Sequence, residues 1–268
     1  MNKPSGLPFL SERTYNSAMV EVIHFPNAPI TEALLDIRVK LPVQTDLKTL
    51  GTFHDTIKQR YPVKQERVSW RGHFEVKVTP VAQVSQSAAG GPDGYSFTSV
   101  DGRQVVQARL DGFTFSRLKP YDKWEALRDE ARELWQHYIG VALPETVTRV
   151  ALRYINRIEI PLPIKDFKEY ILTTPEIAPD LPQGLESFFM RMVIPDSKAQ
   201  AVAIITETVE PIDESSKRIP LIFDIDVFRM AAFSVQDNSM WETFESLHVL
   251  KNEVFFKSIT PKTKALFQ

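Results

Sequence analysis

The stretch Val150-Ala151-Leu152-Arg153-Tyr154-Ile155-Asn156-Arg157-Ile158-Glu159-Ile160-Pro161 decides how the chain folds. Val150, Leu152, Tyr154, Asn156, Ile158 and Ile160 alternate with Arg153, Arg157 and Glu159, the period-two pattern of a half-buried strand, and Pro161 ends it. The same pattern stands earlier in the chain. Ala33, Leu35, Ile37, Val39 and Leu41 alternate with Glu32, Asp36, Arg38 and Lys40, and Pro42 closes the run. Arg38 with Leu41-Pro42 matches Arg157 with Ile160-Pro161 at one constant offset.

Working outward, each strand leads into an aspartate suited to a helix start, Asp46-Leu47 and Asp166-Phe167. Leu47, Leu50, Phe53 and Ile57 predict a helix that stops at Tyr61-Pro62, and Lys165 to Leu172 predicts a short second one. Three strands are expected after each. In the first half they lie around Val68–Val78, Tyr95–Val100 and Val105–Phe115, with a bulge or turn at Gly72. Residues 81–94, rich in Gly, Ser and Pro-Asp-Gly, read as a connection, and Asp101-Gly102 as a hairpin turn. In the second half the strands are Phe188–Ile194, Val202–Val209 and Pro220–Phe233. Leu110-Asp111-x-Phe113 matches Ile225-Asp226-x-Phe228, and each precedes a helix opening on tryptophan, Trp124 or Trp241. Gly140 is read as the end of the first of these helices.

The expected fold class is α+β: two tandem β-α-β-β-β-α repeats, residues 26–144 and 145–268, after an N-terminal arm at 1–25. Antiparallel sheet with helices on one face then gives an open saddle or a closed barrel. Both leave a concave strand face or a seam as the natural binding site.

Composition narrows the functions. Apolar residues make up 43% of the 268 and charged residues 25%, so a packed core is expected rather than disorder. A net charge of −2 argues against a general nucleic-acid coat, which needs a basic excess. There is no cysteine, which removes disulfides, thiolate nucleophiles and cysteine metal sites. No apolar run reaches the ~18 residues of a membrane helix, and the first residues lack the apolar core of a signal peptide. The cytoplasm is the expected compartment. His24, His54, His73, His137 and His248 show no metal-ligand spacing, and the common nucleophile and nucleotide motifs are missing. Neither metal nor cofactor is expected.

Candidate site residues follow from the deciding stretch. Arg153 and Arg157 share one strand face and could clamp a carboxylate or phosphate, or pair with Asp224, Asp226 or Glu159 on neighbouring strands. Asn156 interrupts the apolar face, so it either holds local structure or reads a ligand. Asp224 and Asp226 share a face and are candidates for acid–base chemistry, metal binding or ligand contacts, with a structural role shared by both repeats as the simpler reading. Phe255 and Phe256, adjacent on the last helix, cover more than one of its faces: one packs against the neighbouring repeat, or they are candidates for an interface with a partner or a second copy.

Four segments occur together: Asn27-Ala28-Pro29-Ile30-x-Glu32-Ala33, Tyr121-x-x-Trp124, Arg153-Tyr154-Ile155-Asn156 and Lys251-Asn252-x-x-Phe255-Phe256. In these the chain resembles a prokaryotic family of sporadically distributed conserved proteins of about this length, a family without an assigned activity. The patchy distribution implies a mobile accessory gene, of the kind found in defence or toxin–antitoxin loci. The expected function is a non-catalytic binding or regulatory module for a protein partner or small ligand. Two other readings stay open: an enzyme acting on a phosphate-bearing or nucleotide substrate through the arginine clamp, and a saddle-type nucleic-acid binder.

Overall fold

The computed structural model describes residues 25–77, 83–211 and 217–268. Nine strands form one antiparallel sheet: β1 (Ile30–Lys40), β2 (Val63–Lys77), β3 (Gln83–Thr98), β4 (Gln104–Arg109), β5 (Gly112–Leu118), β6 (Thr146–Pro161), β7 (Phe189–Asp196), β8 (Ala201–Val209) and β9 (Arg218–Phe233). Their order across the sheet is β2-β3-β4-β5-β1-β6-β9-β8-β7. Two different strands stand at the edges, so the sheet is open and the barrel is excluded. The two strands singled out by alternation, β1 and β6, are neighbours at its middle, with Leu35 opposite Leu152 and Ala33 opposite Tyr154.

Alternation decides which face is covered. Ala33, Leu35 and Ile37 of β1 and Leu152, Tyr154 and Ile158 of β6 are fully buried. Two long helices, α3 (Trp124–Ala142) and α4 (Ser239–Ser258), lie over them, α3 on β1 and β5, α4 on β6, β8 and β9. Trp124, Leu127, Ala131, Leu134, Trp135 and Tyr138 make the buried stripe of α3 at helical spacing. Short helices α1 (Leu47–Gly51) and α2 (Phe53–Ile57) flank it, and α5 (Pro261–Ala265) ends the chain. Asp46 caps α1 by accepting a hydrogen bond from the Thr49 amide at 2.8 Å.

Several expectations need correction. The first half carries four strands after its helix, not three, because Val105–Phe115 is split into β4 and β5. Arg109 pairs with Gly112, so Leu110-Asp111 is a two-residue hairpin turn. Gly112 makes this possible. Its φ is +156°, and a Cβ there would lie 2.2 Å from the Ile37 carbonyl oxygen. Gly112→Ala is therefore expected to cost about 1–3 kcal/mol, read as a lower urea midpoint; an unchanged midpoint would show that the β1–β5 seam gives way freely.

The stretch 81–94 is strand from Gln83 onward rather than a connection. A register shift at Arg67/Val68 accommodates Pro92, as proline in a sheet requires, and the ladder runs on through Gly72 without the expected break. The second half has only a 3-10 turn, Phe167–Glu169, where a helix was expected; a three-residue turn capped by Asp166 spans the space. Helix α3 passes Gly140 and ends at Leu143, whose backbone is left-handed (φ 50°). Asp111 lies in a turn while Asp226 lies within β9, so their matched motifs are not in register: Arg38 faces Gly112, but Arg157 faces Ile222. The arm at 1–25 lies outside the described residues except for Phe25, as does most of the Pro211–Arg218 connection.

Candidate functional site

The sheet separates the candidate residues onto two faces. Arg153, Arg157, Asp224 and Asp226 lie on the face without helices, and Asn156 points to the helix side. On the open face every one of these charges already has a partner. Arg153 grips Asp224 with two parallel bonds, Nε to Oδ1 at 2.9 Å and Nη2 to Oδ2 at 2.6 Å. Arg157 binds Glu210 at 2.9 Å and also Glu159. Arg149 bridges Asp226 at 3.3 Å and Asp36 at 3.2 Å. Asp36 is the hub. It accepts bonds from Arg109 at 2.7 Å, Thr114 at 2.8 Å and Arg38 at 3.0 Å.

These bonds stitch β5, β4, β1, β6 and β9 across the middle of the sheet. Burial raises the Asp226 pKa; Arg149 and Arg153 oppose the rise, and Asp224 and Asp36 add to it. A phosphate entering here would have to displace a carboxylate that is already bound bidentately. The geometry is that of a cross-strand ladder, which weighs against the arginine clamp. Among the described residues no group of three or more His, Asp or Glu is placed to hold a metal ion.

The helix side holds a different feature, a cavity of about 270 Å3 between the start of β1, the start of α3, β6 and α4. All four sequence segments that carry the family resemblance reach it. Ala28, Pro29 and Ile30 come from the first, Tyr121 and Trp124 from the second, Asn156 from the third, and Lys251, Asn252, Phe255 and Phe256 from the fourth. These segments are far apart in the chain, and each is placed by a different element. The chain end closes the base: the Asn27 amide donates to the Phe267 carbonyl at 3.0 Å, and the Phe25 ring meets those of Phe256 and Phe267.

Lys251 is the unusual member. It sits on the buried stripe of α4 with Phe244, Leu247 and Phe255, and only 8% of it is exposed. Its Nζ donates to Asn252 Oδ1 at 2.6 Å and stands 3.9 Å from the centre of the Tyr154 ring. Among the described residues no carboxylate lies within ion-pair distance of it. Burial without a counter-charge lowers its pKa to about 7. His248 is stacked on Trp124 at 4.7 Å, and burial, with Lys251 and Arg128 nearby, lowers it to about 3. It is therefore neutral, and its Nε2 accepts from Asn252 Nδ2 at 3.3 Å. That bond turns the amide oxygen of Asn252 toward Lys251.

Tyrosines complete the wall. The Tyr121 and Tyr154 hydroxyls are 3.0 Å apart. Burial pushes Tyr121 up to about 12 and Tyr154 well above its ordinary value, so both are neutral phenols at neutral pH. Asn156 is held by its Nδ2, which donates to the Phe223 carbonyl at 2.9 Å. The cavity thus presents aromatic walls, the buried Lys251 amine, the His248 ring, two amides and the Tyr121 phenol backed by Tyr154, with Asp122, Lys123 and Glu125 at its exposed rim.

Of the predicted site residues, Asn156, Phe255 and Phe256 meet at this cavity, and the charged four do not. Phe255 is buried against Phe223 and Phe267, and Phe256 is partly buried beside it. Sequence reasoning missed Lys251, His248, Tyr121 and Tyr154. One signal was present: a lysine at helical spacing within an apolar stripe.

No family model matches the chain, and no curated protein matches it. Among solved structures, one described as "KH domains" aligns with 88% of this chain at 9% identity and a TM-score of 0.22; the chain spans 64% of that structure's length. At that score the likeness carries no argument. No described helix is long and apolar enough to cross a membrane.

Proposed function

We propose that this protein is a binding module for a small ligand, held in the cavity at Lys251. The reading rests on one observation: a nearly buried lysine with no described carboxylate partner lines a cavity walled by aromatic rings. Leaving such a group buried costs free energy unless a partner meets it. A ligand oxygen, on a carbonyl or a carboxylate, supplies that partner. The aromatic walls take the apolar body of the ligand, and the two amides and the Tyr121 hydroxyl orient it. The volume sits near the lower end of ordinary ligand cavities, roughly 300–1,000 Å3, so the ligand is small. The same reading treats β1–β5 and β6–β9 as two versions of one unit. Its support is that each half begins with a central strand, passes an aspartate-capped turn, and ends in a helix opening near a tryptophan.

Ligand-observed NMR with benzoate, phenylacetate and benzaldehyde tests the site. Saturation transfer is expected with the wild type and is expected to be lost in Lys251→Met, which keeps the length of the side chain without its amine. Equal signals in both proteins, or none with the wild type, would overturn the reading.

A further inference from the structure

We propose that Lys251 is a covalent acceptor for carbonyl compounds: its Nζ, set between the Tyr154 ring and Asn252 in the wall of an aromatic cavity, condenses with an aldehyde or ketone to give an imine. The inference rests on the cavity being a ligand site and names the ligand's reactive group.

Imine formation needs an unprotonated amine, a place for the carbonyl compound, and groups that accept and return a proton. The first is met because burial and the missing counter-charge leave much of the Lys251 amine neutral at neutral pH. Placement is met by the cavity. Asn252 Oδ1, oriented by neutral His248, accepts one amine hydrogen and leaves the nitrogen lone pair free for another direction. The remaining ionisable groups at the cavity are Asp122, Lys123 and Glu125 at its rim and the phenol of Tyr121, which is bonded to that of Tyr154 behind it. Neither rim carboxylate, Asp122 or Glu125, acts as a counter-charge to Lys251, whose pKa is lowered by burial with no opposing carboxylate.

The step balances without a further reagent. The Nζ lone pair forms a bond to the carbonyl carbon, and the C=O π pair moves to oxygen. One proton passes from nitrogen to that oxygen, giving a carbinolamine. The C–O bond then breaks, and the hydroxyl leaves with the second amine proton as water. A C=N bond remains. The Tyr121 hydroxyl, bonded to that of Tyr154, is a neutral acid on the cavity lining that can assist departure of the hydroxyl.

The test uses the full chain with one equivalent of benzaldehyde and sodium cyanoborohydride at about pH 7, followed by intact mass and peptide mapping. An exposed lysine, with pKa about 10.4, is neutral roughly a thousandfold less often than one near 7. A single reduced adduct on Lys251 is expected, formed at least about a hundredfold faster than on any exposed lysine, with the N-terminal amine counted separately. It is expected to vanish in Lys251→Met and to slow when benzoate is added. Adducts spread over surface lysines, or no adduct at Lys251, would overturn the inference. If benzoate still binds in a Lys251-dependent way while no adduct forms, the imine falls and the binding site stands. If neither occurs, both fall.

Discussion

Asp36→Ala is expected to lower folding stability by about 3 kcal/mol, toward the low end of the roughly 3–5 kcal/mol that follows when one partner of a buried ion pair is removed. Arg109, the main partner, is only 3% exposed and would keep its charge inside the protein. Asp111 still binds it, Nε to Oδ1 at 2.9 Å, which holds the loss to the low end. Arg38, Arg149 and Thr114 would lose a partner as well. The double variant Asp36→Leu with Arg109→Met should be less damaged than Asp36→Ala alone, because no uncompensated charge remains. Urea denaturation measures this. A double variant weaker than the single would show that the loss comes from packing.

The pH dependence has a definite sign. Burial pushes the Asp36 carboxyl up, but Arg109 and Arg38, with the hydrogen bonds from Arg109 and Thr114, hold it below the ordinary 3.8. A lowered carboxylate contributes its stability above the unfolded value and loses it as pH falls through the folded one. The gap between wild type and Asp36→Ala is thus full above about pH 4 and shrinks on further acidification.

Glu207→Leu is expected to act in the opposite direction, raising stability by about 3 kcal/mol above pH 7. Glu207 points to the core face of β8, opposite Phe223, and is 1% exposed. Its Oε2 has no hydrogen-bond partner, and no described cation is within ion-pair distance. Burial alone raises its pKa from 4.5 to about 7. A raised carboxyl favours the protonated folded state, so stability falls as pH rises from about 4.5 to about 7. The wild type should therefore weaken across that window, and Glu207→Leu and Glu207→Gln should not. Urea midpoints at about pH 5 and pH 8 decide it. A difference between wild type and variant that does not change with pH would mean that Glu207 carries no buried charge penalty.

Much of the fold was legible in local patterns. Strand alternation located β1, β6, β8 and β9, and helical spacing located α3 and α4. Asp111-Gly112 could have marked a chain reversal near the Leu110-Asp111 turn, but the apolar run through Phe113 and Phe115 masked it. The small residues of 83–94 could not be told from a loop, because their strand identity comes from pairing with β2 and not from propensity. The site divided in the same way. Asn156 was visible as a polar residue on an apolar face. Lys251 was hidden among charged residues of a helix whose stripe is irregular.

By itself the sequence determined faces: with a period of two, Arg153, Asp224 and Asp226 had to lie away from Asn156 and Tyr154. Strand order and register were decided only by the tertiary structure. Pairing β1 with both β5 and β6 sets Asp36 beside Arg109 and Arg149, and packing α4 on β6 sets Lys251 over the Tyr154 ring. Those partners lie far apart along the chain, and no local preference encodes which distant strand a half-buried strand will choose. That choice comes from the shared burial of both apolar faces under α3 and α4, and it makes one of those positions a salt-bridge hub and the other an amine without a counter-charge.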